Sequence, residues 1–72
     1  MTTPRRGVEH YRAGITDRQR QVLRAYAECG SYKIAARRLD LSCRAYKRQL
    51  AVIRDRLEVE TTVQAVFVVF GR

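Results

Sequence analysis

Residues 15–59 read ITDRQRQVLRAYAECGSYKIAARRLDLSCRAYKRQLAVIRDRLEV, and three hydroxyl residues there, Thr16, Ser31 and Ser42, each stand just before an apolar pattern of helical period. Serine and threonine at such positions accept a hydrogen bond from an unpartnered backbone N–H of the first turn, so they mark helix starts. Gly30 and Asp40 mark the breaks between the segments. Glycine adopts the positive φ that ends many helices at no steric cost, and aspartate at less cost than most residues. Three short helices separated by two tight turns are the sequence form of a helix-turn-helix unit, whose second helix enters a DNA major groove.

The first helix opens with a capping box, Thr16 at the cap and Gln19 three residues on, and Asp17 sits favourably at the positive end of the helix dipole. Val22, Leu23, Tyr26 and Ala27 form its expected buried stripe, and Cys29-Gly30 closes it. In the second helix, capped by Ser31, Ala35, Ala36 and Leu39 are expected to face inward. The adjacent alanines let the next helix approach closely. Asp40 is expected at positive φ in the turn, with Leu41 plugging the corner. The third helix starts at Ser42 and carries Tyr46, Leu50, Ile53 and Leu57 at steps of four, three and four, an inner seam. Its opposite face offers Cys43, Arg44, Lys47, Arg48, Ala51 and Arg54. Arginine binds guanine edges bidentately, lysine is a movable cation, and small residues permit close approach to a duplex.

A second capping box, Thr61 to Gln64, precedes the apolar run 65–70. Valine and phenylalanine favour strand, and so short a run has no decisive period. A lone terminal strand would expose its edge, so a helix over about 61–70 is expected. Apolar nearly all round, that helix leaves a face for a partner; Val63, Val66, Phe67 and Phe70 are the candidate contacts of a homodimer.

Seventy-two residues make one domain. A chain this short buries only about 60% of the surface its unfolded form exposes, so it must pack efficiently or gain from a partner. Cys29 and Cys43 lack the spacing of a disulfide framework or a zinc site, and no signal peptide is evident. The apolar run 65–70 is far short of the ~20 residues that span a bilayer. A soluble protein of a reducing cytoplasm is expected, with no cofactor, metal or membrane partner. Net charge is +8, and residues 33–56 hold eight of the basic side chains against two acidic ones. That is the footprint of a polyanion binder, with a surface kept soluble by charge as the plainer alternative. Residues 1–14 lack apolar periodicity and read as a flexible basic arm, either a solvated tail or one whose Arg5, Arg6 and Arg12 reach a minor groove or phosphates. His10, the sole histidine, lies in that arm, and no nucleophile–base pair, carboxylate pair or glycine-rich phosphate loop supports an enzyme.

Across residues 15–66 the chain resembles, without a gap, the LuxR-type helix-turn-helix of bacterial transcription regulators. The residues that carry the resemblance are Ile15-Thr16, Arg18, Val22-Leu23, Ala27, Ser31, Lys33, Ala36, Leu39, Leu41-Ser42, Lys47, Leu50, Ile53, Leu57, Val59 and Gln64-Ala65-Val66. The resemblance implies an all-α, four-helix domain over 15–72, the third helix (about 43–57) reading the major groove and the fourth forming a two-fold dimer. By length it is similar to the stand-alone, GerE-like spore-regulator type, so control by phosphorylation or an autoinducer is not implied. The chain departs from the pattern at Ile34-Ala35, at Ala45-Tyr46 in place of Thr-Val, at Gln49 in place of His, and at Glu58 in place of Gly. Tyr46 is expected to push the third helix outward or rotate it.

The function expected is that of a dimeric, sequence-specific regulator of transcription, bacterial or phage, bound to double-stranded DNA. Its candidate contacts are Tyr32, Lys33, Arg37, Ser42, Cys43, Arg44, Lys47, Arg48, Ala51 and Arg54, with Arg38 either a contact or solvated. Tyr32 and Lys33 are placed at the DNA backbone and Lys47 in the groove. Cys43 reads as a small residue permitting close approach, with a redox role as the alternative. Two rivals share the shape: a module similar to sigma region 4 that grips RNA polymerase or a sigma factor, and a nonspecific nucleic-acid coat.

Overall fold

The structure, a computed structural model, describes residues 14–71. These form four helices, α1 (Asp17–Cys29), α2 (Tyr32–Arg38), α3 (Cys43–Leu57) and α4 (Thr62–Phe70), with no strand among the described residues. The apolar run 65–70 is therefore helical, and its start explains why. The Thr61 hydroxyl accepts the Gln64 N–H at 3.0 Å, while Gln64 Oε1 accepts the Thr61 N–H at 3.0 Å. The same reciprocal pair opens α1, between Thr16 and Gln19, at 3.0 and 2.9 Å. Ser31 and Ser42 cap α2 and α3 through the N–H groups of Ile34 and Ala45. Each such cap contributes on the order of 1 kcal/mol. The gain matters most for α2, whose seven residues could not persist as an isolated helix.

The helix ends obey a common rule. Gly30, at φ 68°, returns its N–H to the Tyr26 carbonyl at 2.8 Å. At the end of α2 the Leu41 N–H reaches back to the Ala36 carbonyl and the Asp40 N–H to that of Arg37. At the end of α3 Val59 reaches Arg54 and Glu58 reaches Asp55 in the same pattern. Both are Schellman closures, and both put a side-chain-bearing residue in the left-handed region, Asp40 at φ 60° and Glu58 at φ 56°. A residue with a Cβ is strained there by about 1–2 kcal/mol, part of which glycine's freedom in the unfolded chain would return. Glu58 makes no hydrogen bond or ion pair through its side chain among the described residues. Glu58→Gly should therefore raise stability by about 0.5–1 kcal/mol, read as a higher urea midpoint at unchanged slope; a lower midpoint would refute this account of the turn.

α1 is the hub, packed against α2, α3 and α4, while α3 also touches α2 and α4. The core consists of Val22, Leu23, Ala25, Ala35, Ala36, Tyr46, Leu50, Ile53 and Ala65. Four of the nine are alanine, which brings the helices close enough to enclose one large ring, that of Tyr46. Its hydroxyl donates to the Val22 carbonyl at 2.5 Å, tying the first turn of α3 to the middle of α1. Burial of the larger aliphatic side chains contributes about 1.5–3 kcal/mol each.

One expected core position is displaced. Ala27 is exposed and Ala25 is buried instead. At about 100° per residue, Ala25 lies about 60° to one side of Val22 and Ala27 about 140° to the other, beyond the packed sector. Leu39 and Leu57 close the edges of the core half-buried rather than inside it, and Cys29 and Leu41 pack against it in the same way. No helix of the described residues is long and apolar enough to cross a membrane.

Candidate nucleic-acid interface

α3 is held from behind by Tyr46, Leu50 and Ile53, none of which retains solvent exposure. Helical geometry then fixes what its far side presents. Measured round the axis from Tyr46, Arg54, Lys47, Ala51, Arg44 and Arg48 fall within a sector from about 80° to about 200°. Arg44, Lys47, Arg48 and Ala51 are exposed. Ala51 is the low point of this strip, with cationic side chains on both sides.

Arg54 is not open in the way its position in the sequence suggests. It is half-buried, and its Nη1 donates to the Thr62 hydroxyl at 3.0 Å. Thr62 is itself buried at the first turn of α4, so the arginine satisfies a hydroxyl that would otherwise lack a partner. Cys43, the first residue of α3, is half-buried with a free thiol, and the Ser42 hydroxyl is engaged as the α3 cap.

From α2, Lys33 and Arg37 project into solvent. Arg38 pairs with Glu28 of α1 at 2.6 Å, both side chains about half exposed. So exposed a pair adds at most about 1 kcal/mol. It does settle which of the two neighbouring arginines is engaged within the domain. Tyr32 is half-buried; its ring stacks on that of Tyr26, centroids 5.0 Å apart and planes 27° apart, and the Lys47 ammonium lies 5.4 Å from the Tyr32 centroid. Tyr32, Lys47 and Arg54 line a depression of about 250 Å³. The sequence named all three separately; the α2–α3 crossing brings them together.

The four candidate dimer residues divide. Val63 and Phe67, 66% and 69% exposed, stand one turn apart as an apolar ridge on α4. Val66 instead packs against the domain's own core, and Phe70 is half-buried with the Arg24 guanidinium 5.1 Å from its ring centroid. Val68 and Ile34 are also exposed, neither singled out by the sequence pattern. Arg24 and Thr62 were likewise not evident: an arginine on an exposed face and a threonine after a cap carry no mark of their tertiary partners. Arg5, Arg6, His10 and Arg12 lie outside the described residues.

No group of three or more His, Cys, Asp or Glu side chains among the described residues is placed to hold a metal ion. Comparison of the chain with protein-family models, with curated proteins and with solved structures found no match.

Proposed function

We propose that this chain is a sequence-specific, double-stranded DNA-binding regulator of transcription that acts in the cytoplasm as a homodimer, with α3 in the major groove. The observation that carries the reading is the exposed strip Arg44, Lys47, Arg48 and Ala51, set opposite three fully buried side chains of the same helix. An α-helix fits the major groove, and such a strip delivers guanidinium forks to base edges without displacing the core. Among the described residues no carboxylate pairs with these cations, so their charge is available to a polyanion. Four helices in chain order, with hydroxyl caps at Thr16, Ser31, Ser42 and Thr61, agree with the LuxR-type, GerE-like pattern. The Val63–Phe67 ridge supports pairing of two copies through α4, with half-sites then about 10 bp apart centre to centre.

Selection of bound duplexes from a random pool, with sedimentation of the same complexes, tests specificity, half-site symmetry and subunit number together. A two-fold symmetric site bound by two chains is the outcome expected; enrichment of no sequence would reject it. Arg44→Ala should weaken binding to the selected site by about 1–3 kcal/mol and relax base preference at one position. Unchanged affinity and preference would mean that α3 does not read the groove by this face.

A further inference from the structure

We infer that the depression between Tyr32, Lys47 and Arg54 seats a single backbone phosphate, with Tyr32 positioning Lys47 for it; the inference rests on the duplex-binding reading proposed above. Lys47 and Arg54 are seven residues apart on α3, hence on nearly the same line along it and about 10 Å apart at the backbone. Their long side chains line the depression together with Tyr32 from α2. A volume of about 250 Å³ corresponds to roughly eight waters, ample for a tetrahedral anion.

Both cations are prepared for such a guest. Tyr32 is braced by its stack on Tyr26, a residue packed against the core, so the ring offers Lys47 a fixed resting place instead of many rotamers. Arg54 is braced at one nitrogen by Thr62, while its remaining N–H donors meet no acceptor among the described residues. Neither cation is paired with a carboxylate among the described residues. Two positive groups lining one cleft, with no carboxylate paired to either among the described residues, suit a phosphodiester oxygen pair. Arg44 and Arg48, farther round α3 by about 60° or more, remain for base edges. The division assigns Lys47 and Arg54 to positioning and the other pair to reading.

Titration of a labelled mixed-sequence duplex at several salt concentrations tests the seat, with sedimentation supplying the number of bound subunits. Each phosphate neutralised adds about 0.9 to the slope of log affinity against log salt. If both cations serve one phosphate, Lys47→Gln/Arg54→Gln flattens the slope by about 0.9 per bound subunit, and each single change by less. Tyr32→Phe keeps an aromatic ring beside Lys47 and so loses less than Tyr32→Leu. Tyr32→Leu weakens binding about two- to fivefold, and adds nothing once Lys47 is glutamine. Flattening by about 1.8, or none, overturns the shared seat. An equal loss from Tyr32→Leu with and without Lys47 overturns the positioning role. Either result leaves duplex binding by the parent chain standing, whereas absence of that binding at low salt removes both readings. Circular dichroism of each variant confirms that the comparison is made on folded protein.

Discussion

A Tyr46→Ala variant should lose about 3–5 kcal/mol of stability, the usual cost of emptying a buried aromatic site. A domain of this length has a total of roughly 4–11 kcal/mol to lose, so the variant sits near its unfolding threshold at ordinary temperatures. The reason is the place of the ring. It is the largest wholly buried side chain, enclosed by helices that four alanines bring together. Tyr46→Phe separates the ring from its hydroxyl. The Val22 carbonyl already serves the α1 ladder, so loss of the phenol bond costs only about 0.5–1.5 kcal/mol. The hydroxyl also makes stability depend on pH. Burial, with a lesser push from Cys29, raises its pKa from 10.0 to about 12. The folded state thus holds this proton more tightly than the unfolded chain does. Its contribution is fully present below pH 10 and is lost as pH rises from 10 toward 12, by roughly 3 kcal/mol in all. Urea midpoints across that window should fall more steeply for the parent chain than for Tyr46→Phe; parallel curves would show that the phenol is not the titrating group.

Affinity for duplex DNA should fall roughly 10³- to 10⁵-fold between about 50 and 200 mM salt if the dimer neutralises some 6 to 10 phosphates. The magnitude follows from counterion release, and the cations placed to supply it are the exposed Lys33 and Arg37 on α2 and, on α3, Lys47 with the half-buried Arg54, while Arg44 and Arg48 are left for base edges. Arg38 should contribute little, because Glu28 already holds it. Equilibrium titrations give the slope directly. A near-flat dependence would mean that the cationic strip does not face phosphate at all. A slope of the expected size with equal affinity for every sequence would favour a nonspecific coat.

The helices were legible because their signals are local. A hydroxyl at a cap, a glutamine three residues on and a seam at steps of three and four act within one turn, and Thr16, Ser42 and the series Tyr46, Leu50, Ile53 fold as those rules require. Asp40 was legible for the same reason. What escaped was set by the helix crossings. Ala25 and Ala27 have equal claims on composition, and only the packed sector of α1 decides between them. Arg54 looks like its neighbours on the cationic face until α4 folds beside it and offers the Thr62 hydroxyl. Val66 belongs to the same apolar run as Val63 and Phe67, yet the direction in which α4 lies on α1 and α3 turns it to the domain's own interior. The Tyr26–Tyr32–Lys47 series joins three elements, and no spacing along the chain announces it.

If the proposed function holds, the bond from Arg54 to Thr62 bears on operator architecture. In the proposed dimer, the separation and tilt of the two reading helices depend on the angle at which α4 departs from α3. A short corner at residues 58–61, the packing of Ala65 and Val66 into the core and that side-chain strut hold the angle. In that dimer the strut would help set the spacing: slackening it would change which gap between half-sites is tolerated, even where each half-site is still read correctly.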